Sequence, residues 1–240
     1  FNITRSQADT LAVESHLRLA RAQEEGLLDG EVVPLIDNKG KVYPTDDGVR
    51  PDSSVEHLAK LKPVFERPYG KVTAGNSSQI TDGASWMILA SEEAVAKYQL
   101  TPKAVIIDSD WSGLDPSVMG LGPAVSVGKL LNKNQLAFND IDLMELNEAF
   151  AAQVLGCLAA WNDSDFCREA LGLDSVLGEF DHSKLNIDGG AIALGHPVGT
   201  SGNRIVLHLM NALARTGTKR GIATQCIGGG QAGAMLIEAV

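Results

Sequence analysis

Apolar positions in the first part of the chain recur at three- and four-residue intervals. Leu11, Ala12, Ser15, Leu19 and Ala22 share one face of a helix, which the spacing predicts over residues 6–23. Ser6 is placed to cap it, Asp9 falls in its first turn, and Gly26 and Gly30 end it. From 31 to 72 no period persists, and Pro34, Pro44, Pro51, Pro63 and Pro68 punctuate the stretch. It reads as an elaborated surface layer with a short strand at 32–36 and a short helix at 54–61 capped by Ser53 or Ser54. After Gly75-Asn76-Ser77-Ser78 the pattern changes. A buried strand is predicted at 85–89, a helix at 92–98, a β-branched strand at 104–108 and a helix at 123–131 with Lys129 and Lys133 near its C-terminal end. A strand at 141–146 runs into a helix at 147–160, a long helix covers 200–215, and strands at 221–226 and 233–238 close the chain. Between them, 161–184 carries Trp161, Phe166, Leu171, Leu173, Val176, Leu177 and Phe180, the pattern of a packed helical insertion. Strands alternating with helices imply an α/β layered fold.

Composition narrows the function classes. The 240 residues are 44% apolar and carry 25 glycines, enough for a sizeable core in a loop-rich enzyme. A formal charge of −10 argues against nucleic acid or an anionic membrane as partner. Any phosphate-bearing ligand would depend on local basic residues. No run approaches the roughly 18 apolar residues of a membrane span. The three cysteines, Cys157, Cys167 and Cys226, make an odd count without framework spacing, as expected in a reducing compartment and a cytoplasmic protein. No signal peptide is visible, and the chain begins at Phe1 inside what reads as an ongoing element, so its natural start is expected upstream.

Candidate chemistry sits on two glycine-rich turns. Gly189-Gly190-Ala-Ile-Ala-Leu-Gly195-His196-Pro197-Val-Gly199-Thr-Ser-Gly202 places one histidine among glycines and leads into a helical pattern. Gln225-Cys226-Ile227-Gly228-Gly229-Gly230 follows. Glycine admits close ligand approach, and such turns leave backbone N–H groups able to hold an oxyanion. A lone histidine before proline is more often structural, and a cysteine ending a strand is more often a small hydrophobe. The glycines shift both toward catalysis. Asn147 suits a helix N-cap, and Glu148 a first-turn carboxylate. Cys157, beside Val154, Leu158 and Trp161, reads as helix core.

Asn147-Glu148-Ala149-Phe150-Ala151, the His196 segment and the Cys226 segment occur in the order found in thiolases, and the chain resembles the C-terminal half of that family along essentially its whole length. The resemblance implies a thiolase-like layered fold, a βαβαβαββ half with a mixed five-stranded sheet over residues 80–240. Residues 1–79 would be a remnant of the family's loop region, and the N-terminal half would be absent. The implied activity is acyl transfer: thiolytic cleavage of 3-ketoacyl-coenzyme A, or the reverse Claisen condensation. His196 would activate a nucleophilic cysteine and hydrogen-bond the thioester oxygen. Cys226 would be an acid/base, the Gly228 N–H part of an oxyanion hole, and Asn147 the holder of a water. Ser78 and Ala74 would meet pantetheine, Phe150 and Met119 would line the channel, and Arg50, with His57 nearby, would lie near the adenine and phosphates. The long 161–184 segment is similar to that of the degradative enzymes of fatty-acid oxidation. The resemblance implies coenzyme A as substrate, no further cofactor and no metal. It also implies a homodimer or homotetramer when full length, and inactivity of this chain alone, because the nucleophile would lie in the absent half. Two rivals are a ketoacyl-synthase-like enzyme, which would place a second histidine where Cys226 stands, and a non-catalytic acyl- or lipid-binding module.

Overall fold

A computed structural model describes residues 1–240. The chain runs through helix α1 (Arg5–Glu24), strands β1 (Leu35–Ile36) and β2 (Val42–Tyr43), helices α2 (Val55–Leu58) and α3 (Glu92–Tyr98), strand β3 (Ala104–Gly113) and helix α4 (Gly122–Lys133). It continues through strand β4 (Leu143–Leu146), helices α5 (Ala151–Trp161), α6 (Ser164–Leu171), α7 (Ala191–Leu194) and α8 (Val198–Thr216), and strands β5 (Arg220–Ile227) and β6 (Gln231–Ala239). It divides into two units. One holds Phe1–Asp82, Glu148–Gly156 and Asn186–Pro197, and the other Gly83–Asn147, Cys157–Leu185 and Val198–Val240. Two later segments, Glu148–Gly156 and Asn186–Pro197, join the N-terminal stretch in the first unit.

In the first unit, α1 buries Ala8, Leu11, Ala12, Ser15, Leu19 and Ala22, the face that the spacing predicts. Its cap is Thr4 rather than Ser6. Thr4 N–H donates to Gln7 Oε1 at 2.8 Å, and Gln7 N–H returns a bond to Thr4 Oγ1 at 3.2 Å. This reciprocal pair satisfies two backbone donors at the helix start, which outcompetes a lone serine further in. Asp9 is buried against Arg5 Nε at 2.7 Å and Asn76 Nδ2 at 2.8 Å, tying α1 to the Ala74–Asn76 turn. Leu19 and Ala22 pack with Leu28 and with Ala193 of α7. Leu19 is fully buried, so Leu19→Ala is expected to lower stability by about 2–5 kcal/mol. Urea unfolding checks this, and a loss under 1 kcal/mol (roughly one methylene) would contradict the packing.

The second unit is built on a four-stranded mixed sheet in the order β3-β6-β5-β4. β3/β6 and β5/β6 are antiparallel and β4/β5 is parallel. Along β5, side chains alternate between two helical layers. Thr224 meets Ser126 of α4 at 3.4 Å, whereas the small Gly221 leaves room for Leu209 of α8. The expected fifth strand at 85–89 does not form. Trp86, Ile88 and Leu89 are exposed, and no strand pairs with them. The apolar run is real, but a strand needs a partner edge to satisfy its backbone. The segment is instead tethered by Thr200 Oγ1–H to Gly83 O at 2.7 Å and by Asn203 Nδ2–H to Ser85 Oγ at 2.6 Å.

The helix expected at 147–160 begins later, at Ala151. Asn147 N–H bonds Thr224 O at 3.0 Å and so prolongs the β4 ladder, while Ser78 N–H donates to Ala149 O at 3.0 Å and Phe150 bridges Ser77. Residues 147–150 therefore stay outside the helix, and Asn147 is not a helix cap. The 161–184 insertion meets the expectation only in part: its regular helix is limited to α6, Trp161 and Phe180 are buried, and Val176 is exposed. Phe138 lies 4.8 Å from Trp161 and 5.5 Å from Phe180, ring centre to ring centre, and Trp161 Nε1–H donates to Ala124 O at 3.1 Å. α6 begins at an Asp163 cap and buries Cys167 completely. Cys157 Sγ points to Gly120 O at 3.3 Å and Cys167 Sγ to Trp161 O at 3.5 Å. Replacing both with alanine should lower stability by about 1 kcal/mol or more per site. It should leave the Michaelis constant of an active protein near wild type. A large fall in turnover with intact folding would contradict the core placement. No helix is long and apolar enough to cross a membrane.

Candidate functional site

The histidine turn belongs to the first unit. The four-residue α7 ends at Gly195, whose φ of +100° is a conformation that side chains with a Cβ rarely adopt. His196 follows, half-buried, and Pro197 leads into α8. Gly195 N–H closes α7 onto Ala191 O at 2.8 Å, and His196 N–H donates to Gln79 O at 3.0 Å. Gln79 is held in turn, its Nε2–H donating to Gly48 O at 2.9 Å. The stretch from Ser77 to Gln79 thus joins three expected site segments: Ser77 pairs with Phe150, Ser78 with Ala149, and Gln79 with His196. Ser78 is half-buried, Phe150 is 38% exposed, and Ala74 is exposed on the Ala74–Asn76 turn.

Arg50 and His57 also fall in the first unit, both exposed. The Arg50 backbone N–H donates to Nδ1 of His16, which is buried on α1, at 3.2 Å. Burial, and then the Arg50 charge, push the His16 pKa below 6.5, with Asp52 pulling the other way. The folded pKa therefore lies below the unfolded one, and protonation favours the unfolded chain. Stability is full above 6.5 and is lost as pH falls through the folded value. Urea unfolding is expected to show lower stability at about pH 5.5 than at about pH 7.5, a window above the carboxylate range. His16→Gln should remove most of that difference, because glutamine keeps an acceptor and does not titrate. An equal drop in the variant would contradict the assignment.

The cysteine turn belongs to the second unit. Cys226, 5% exposed, is the penultimate residue of β5 and pairs with Ala232 of β6. The Gly228-Gly229-Gly230 hairpin follows, and Gly229 and Gly230 have φ of +87° and +83°. A Cβ at Gly230 would run into Leu114 O, so the hairpin lies flat on the Leu114 backbone, whose N–H bonds Gly230 O at 2.8 Å. Gly228 is exposed, with open space where a Cβ would stand. Burial pushes the Cys226 thiol up, a backbone hydrogen bond opposing it, so the sulfur is protonated at neutral pH. Asn147, 1% exposed at the end of β4, joins β5 through Thr224 O, two residues before Cys226. Met119, half-buried in the Pro116–Leu121 turn, lies in the same unit. The structure thus groups His196, Ser78, Ala74, Phe150 and Arg50 in one unit, and Asn147, Cys226, Gly228 and Met119 in the other.

Behind these turns lie buried polar residues: Glu148, expected as a first-turn helix carboxylate, precedes α5 and is buried, and Glu145 was not anticipated. Glu148 is 3% exposed and accepts from Ser15 Oγ–H at 2.6 Å and Asn186 Nδ2–H at 2.9 Å. Glu145, buried on β4, has Arg204 and His208 of α8 each 3.8 Å away. For Glu145 the only signal in the sequence was an acid inside an apolar strand pattern. No cluster of three or more side chains suited to a metal ion is present.

The family model described as the thiolase C-terminal domain matches residues 100–239, and that of the thiolase N-terminal domain matches residues 1–93. The expectation that the N-terminal domain is absent therefore does not stand, and the inferred inactivity of the chain alone loses its support. The β-ketoadipyl-CoA thiolase of Pseudomonas aeruginosa is 43% identical over 100% of the chain and 57% of its own length. The 3-ketoacyl-CoA thiolase of Aliivibrio fischeri is 43% identical over 98% of the chain and 58% of its own length. The chain thus spans little more than half the length of these relatives. Among solved structures, the acetyl-CoA acetyltransferase of Bacillus anthracis superposes with a TM-score of 0.86 at 39% identity, over 99% of the chain and 57% of its own. Human mitochondrial 3-ketoacyl-CoA thiolase in complex with CoA gives 0.83 at 39% identity, over 99% and 55%.

Proposed function

Because the chain belongs to the thiolase family, we propose that it acts on coenzyme A thioesters and supplies the acid/base half of a site that cleaves 3-ketoacyl-coenzyme A or runs the reverse condensation. The observation that carries the reading is the placement of Cys226: a thiol 5% exposed near the end of β5, just before a glycine hairpin whose Gly228 and Gly229 are exposed. A buried structural cysteine needs no such hairpin. In cleavage, the bond between the carbonyl carbon and the adjacent methylene breaks, its electron pair stays on the methylene, and the Cys226 thiol supplies the proton that completes the acetyl group. In condensation the thiolate removes that proton. The Gly228 N–H faces the developing thioester oxyanion, where a preorganised donor is worth most.

His196 takes the other role, activating the attacking thiol and donating to the thioester oxygen, which the two distinct nitrogens of a neutral imidazole permit. Asn147 orients a water toward that oxygen. Ser78 and Ala74 contact pantetheine, Phe150 and Met119 line its path, and Arg50 meets the phosphates. Coenzyme A is substrate, and no further cofactor is invoked. Cys157 and Cys167 lie in the core, so neither is the attacking group. The exposed apolar residues of the edge strand β3, Val105, Ile107 and Trp111, suit a protein that assembles as a dimer or tetramer. The three cysteines form no disulfide, which fits a reducing compartment such as the cytoplasm.

The test is thiolysis of acetoacetyl-coenzyme A by the chain joined to the portion of the Aliivibrio fischeri relative that it does not span. Multiple turnovers with release of acetyl-coenzyme A are expected. Binding of acyl-coenzyme A without turnover would favour a module that keeps the fold and lacks the chemistry.

A further inference from the structure

Glu148 is not where a solvent-facing helix carboxylate belongs. It sits in the short link before α5, 3% exposed, against the backbone that leads to His196. Its Oε2 accepts from Ser15 Oγ–H at 2.6 Å and from Ile192 N–H at 3.3 Å, and its Oε1 accepts from Asn186 Nδ2–H at 2.9 Å. Having donated its own hydrogen, Ser15 Oγ accepts from Gly190 N–H at 3.1 Å. One carboxylate thus receives, directly or through a hydroxyl, two backbone donors at the start of α7, those of its cap Gly190 and of Ile192. These groups have no partner inside so short a helix. The packing is close: a Cβ on Gly190 would stand 2.5 Å from Glu148 Cδ. At the far end of α7, His196 N–H is fixed to Gln79 O. The histidine turn is therefore gripped at both ends.

We propose that Glu148, acting with Ser15, is a positioning residue that sets where α7 starts and thereby where the His196 imidazole is presented. The inference rests on the proposed role of His196 for its functional meaning, but not for its structural content. The geometry favours positioning over simple filling of the core. An apolar or amide side chain would fill the same volume. Only an acceptor-only group matches three donors converging from α1, Asn186 and α7. A glutamine in its place turns one oxygen into an NH2 that confronts at least one of those donors.

The experiment follows the His196 imidazole resonances and their titration by NMR, with amide exchange, in the whole chain carrying Glu148→Gln or Ser15→Ala. In Glu148→Gln, the amides of Ile192, Ala193 and Leu194 should exchange about ten- to hundredfold faster, the scale of one lost charge-assisted bond. The His196 resonances and titration midpoint should shift, while the amides of Ile222 and Ala223 in β5 stay unchanged. Ser15→Ala should move the same signals in the same direction by less, and it carries the test alone if Glu148→Gln does not fold. A folded variant whose His196 titration matches wild type would overturn the proposal. None of these readouts needs turnover, so failure of the thiolase reading, seen as absent thiolysis, is a separate result.

Discussion

Replacing His196 with alanine is expected to lower thiolysis turnover by about 10²–10⁴-fold, the usual range for loss of a positioned acid/base group. The expectation follows from the turn that carries it. Gly195 adopts a conformation suited to glycine, α7 closes behind it, and the His196 backbone is tied to Gln79. So much constraint on one half-buried imidazole is unnecessary for a surface histidine. A steady-state assay on a protein with measurable turnover checks it. A loss of less than about tenfold, below the usual acid/base range, would remove His196 from the chemistry, whereas a rise in the Michaelis constant at constant turnover would reassign it to binding.

Loss of Cys226 is expected to be comparably severe, and the pH dependence carries the sign. Burial raises its pKa, so the thiol form persists through neutral pH. Cleavage needs that thiol as an acid. Its rate should therefore stay flat through neutrality and fall only as pH rises through the raised value, above the reference of about 8.5. Condensation needs the thiolate, and its rate should climb over the same range. Cys226→Ser should lower both by about 10²-fold or more, because a serine hydroxyl exchanges its proton far less readily. It should also erase the alkaline limb. If that limb persists in Cys226→Ser, another group titrates there.

The sequence made the second unit legible because most of its elements carry their own pattern, even though only the β5/β6 hairpin pairs locally. β4 pairs with β5 and β5 with β6, α4 and α8 cover the two faces, and β4 reads as a continuous buried run. The run at 85–89 was apolar enough to read as a strand, yet a strand depends on a partner that apolarity does not reveal, and Trp86 and Ile88 stand exposed. The helix start moved from Asn147 to Ala151 for a related reason: Thr224 and Ser78 claim the backbone of 147–149 from distant parts of the chain. His196 and Cys226 stood out because glycines flank them. Glu148 did not, since its three partners come from Ser15, Asn186 and Ile192, and such convergence leaves no spacing to read.

The central claim is a division of labour, with His196 serving the acyl-transfer step and Cys226 the proton at the acetyl methyl. It is tested most directly by measuring two partial reactions in parallel, using acetyl-coenzyme A and the chain joined to the portion of a relative that it does not span. One is formation of the acyl-enzyme, seen by mass spectrometry. The other is solvent deuterium entering the methyl of acetyl-coenzyme A. The account predicts that Cys226→Ala still forms the acyl-enzyme and loses deuterium incorporation, while His196→Ala forms little acyl-enzyme. Retained deuterium incorporation in Cys226→Ala, or complete loss of its acyl-enzyme with the fold intact, would contradict it.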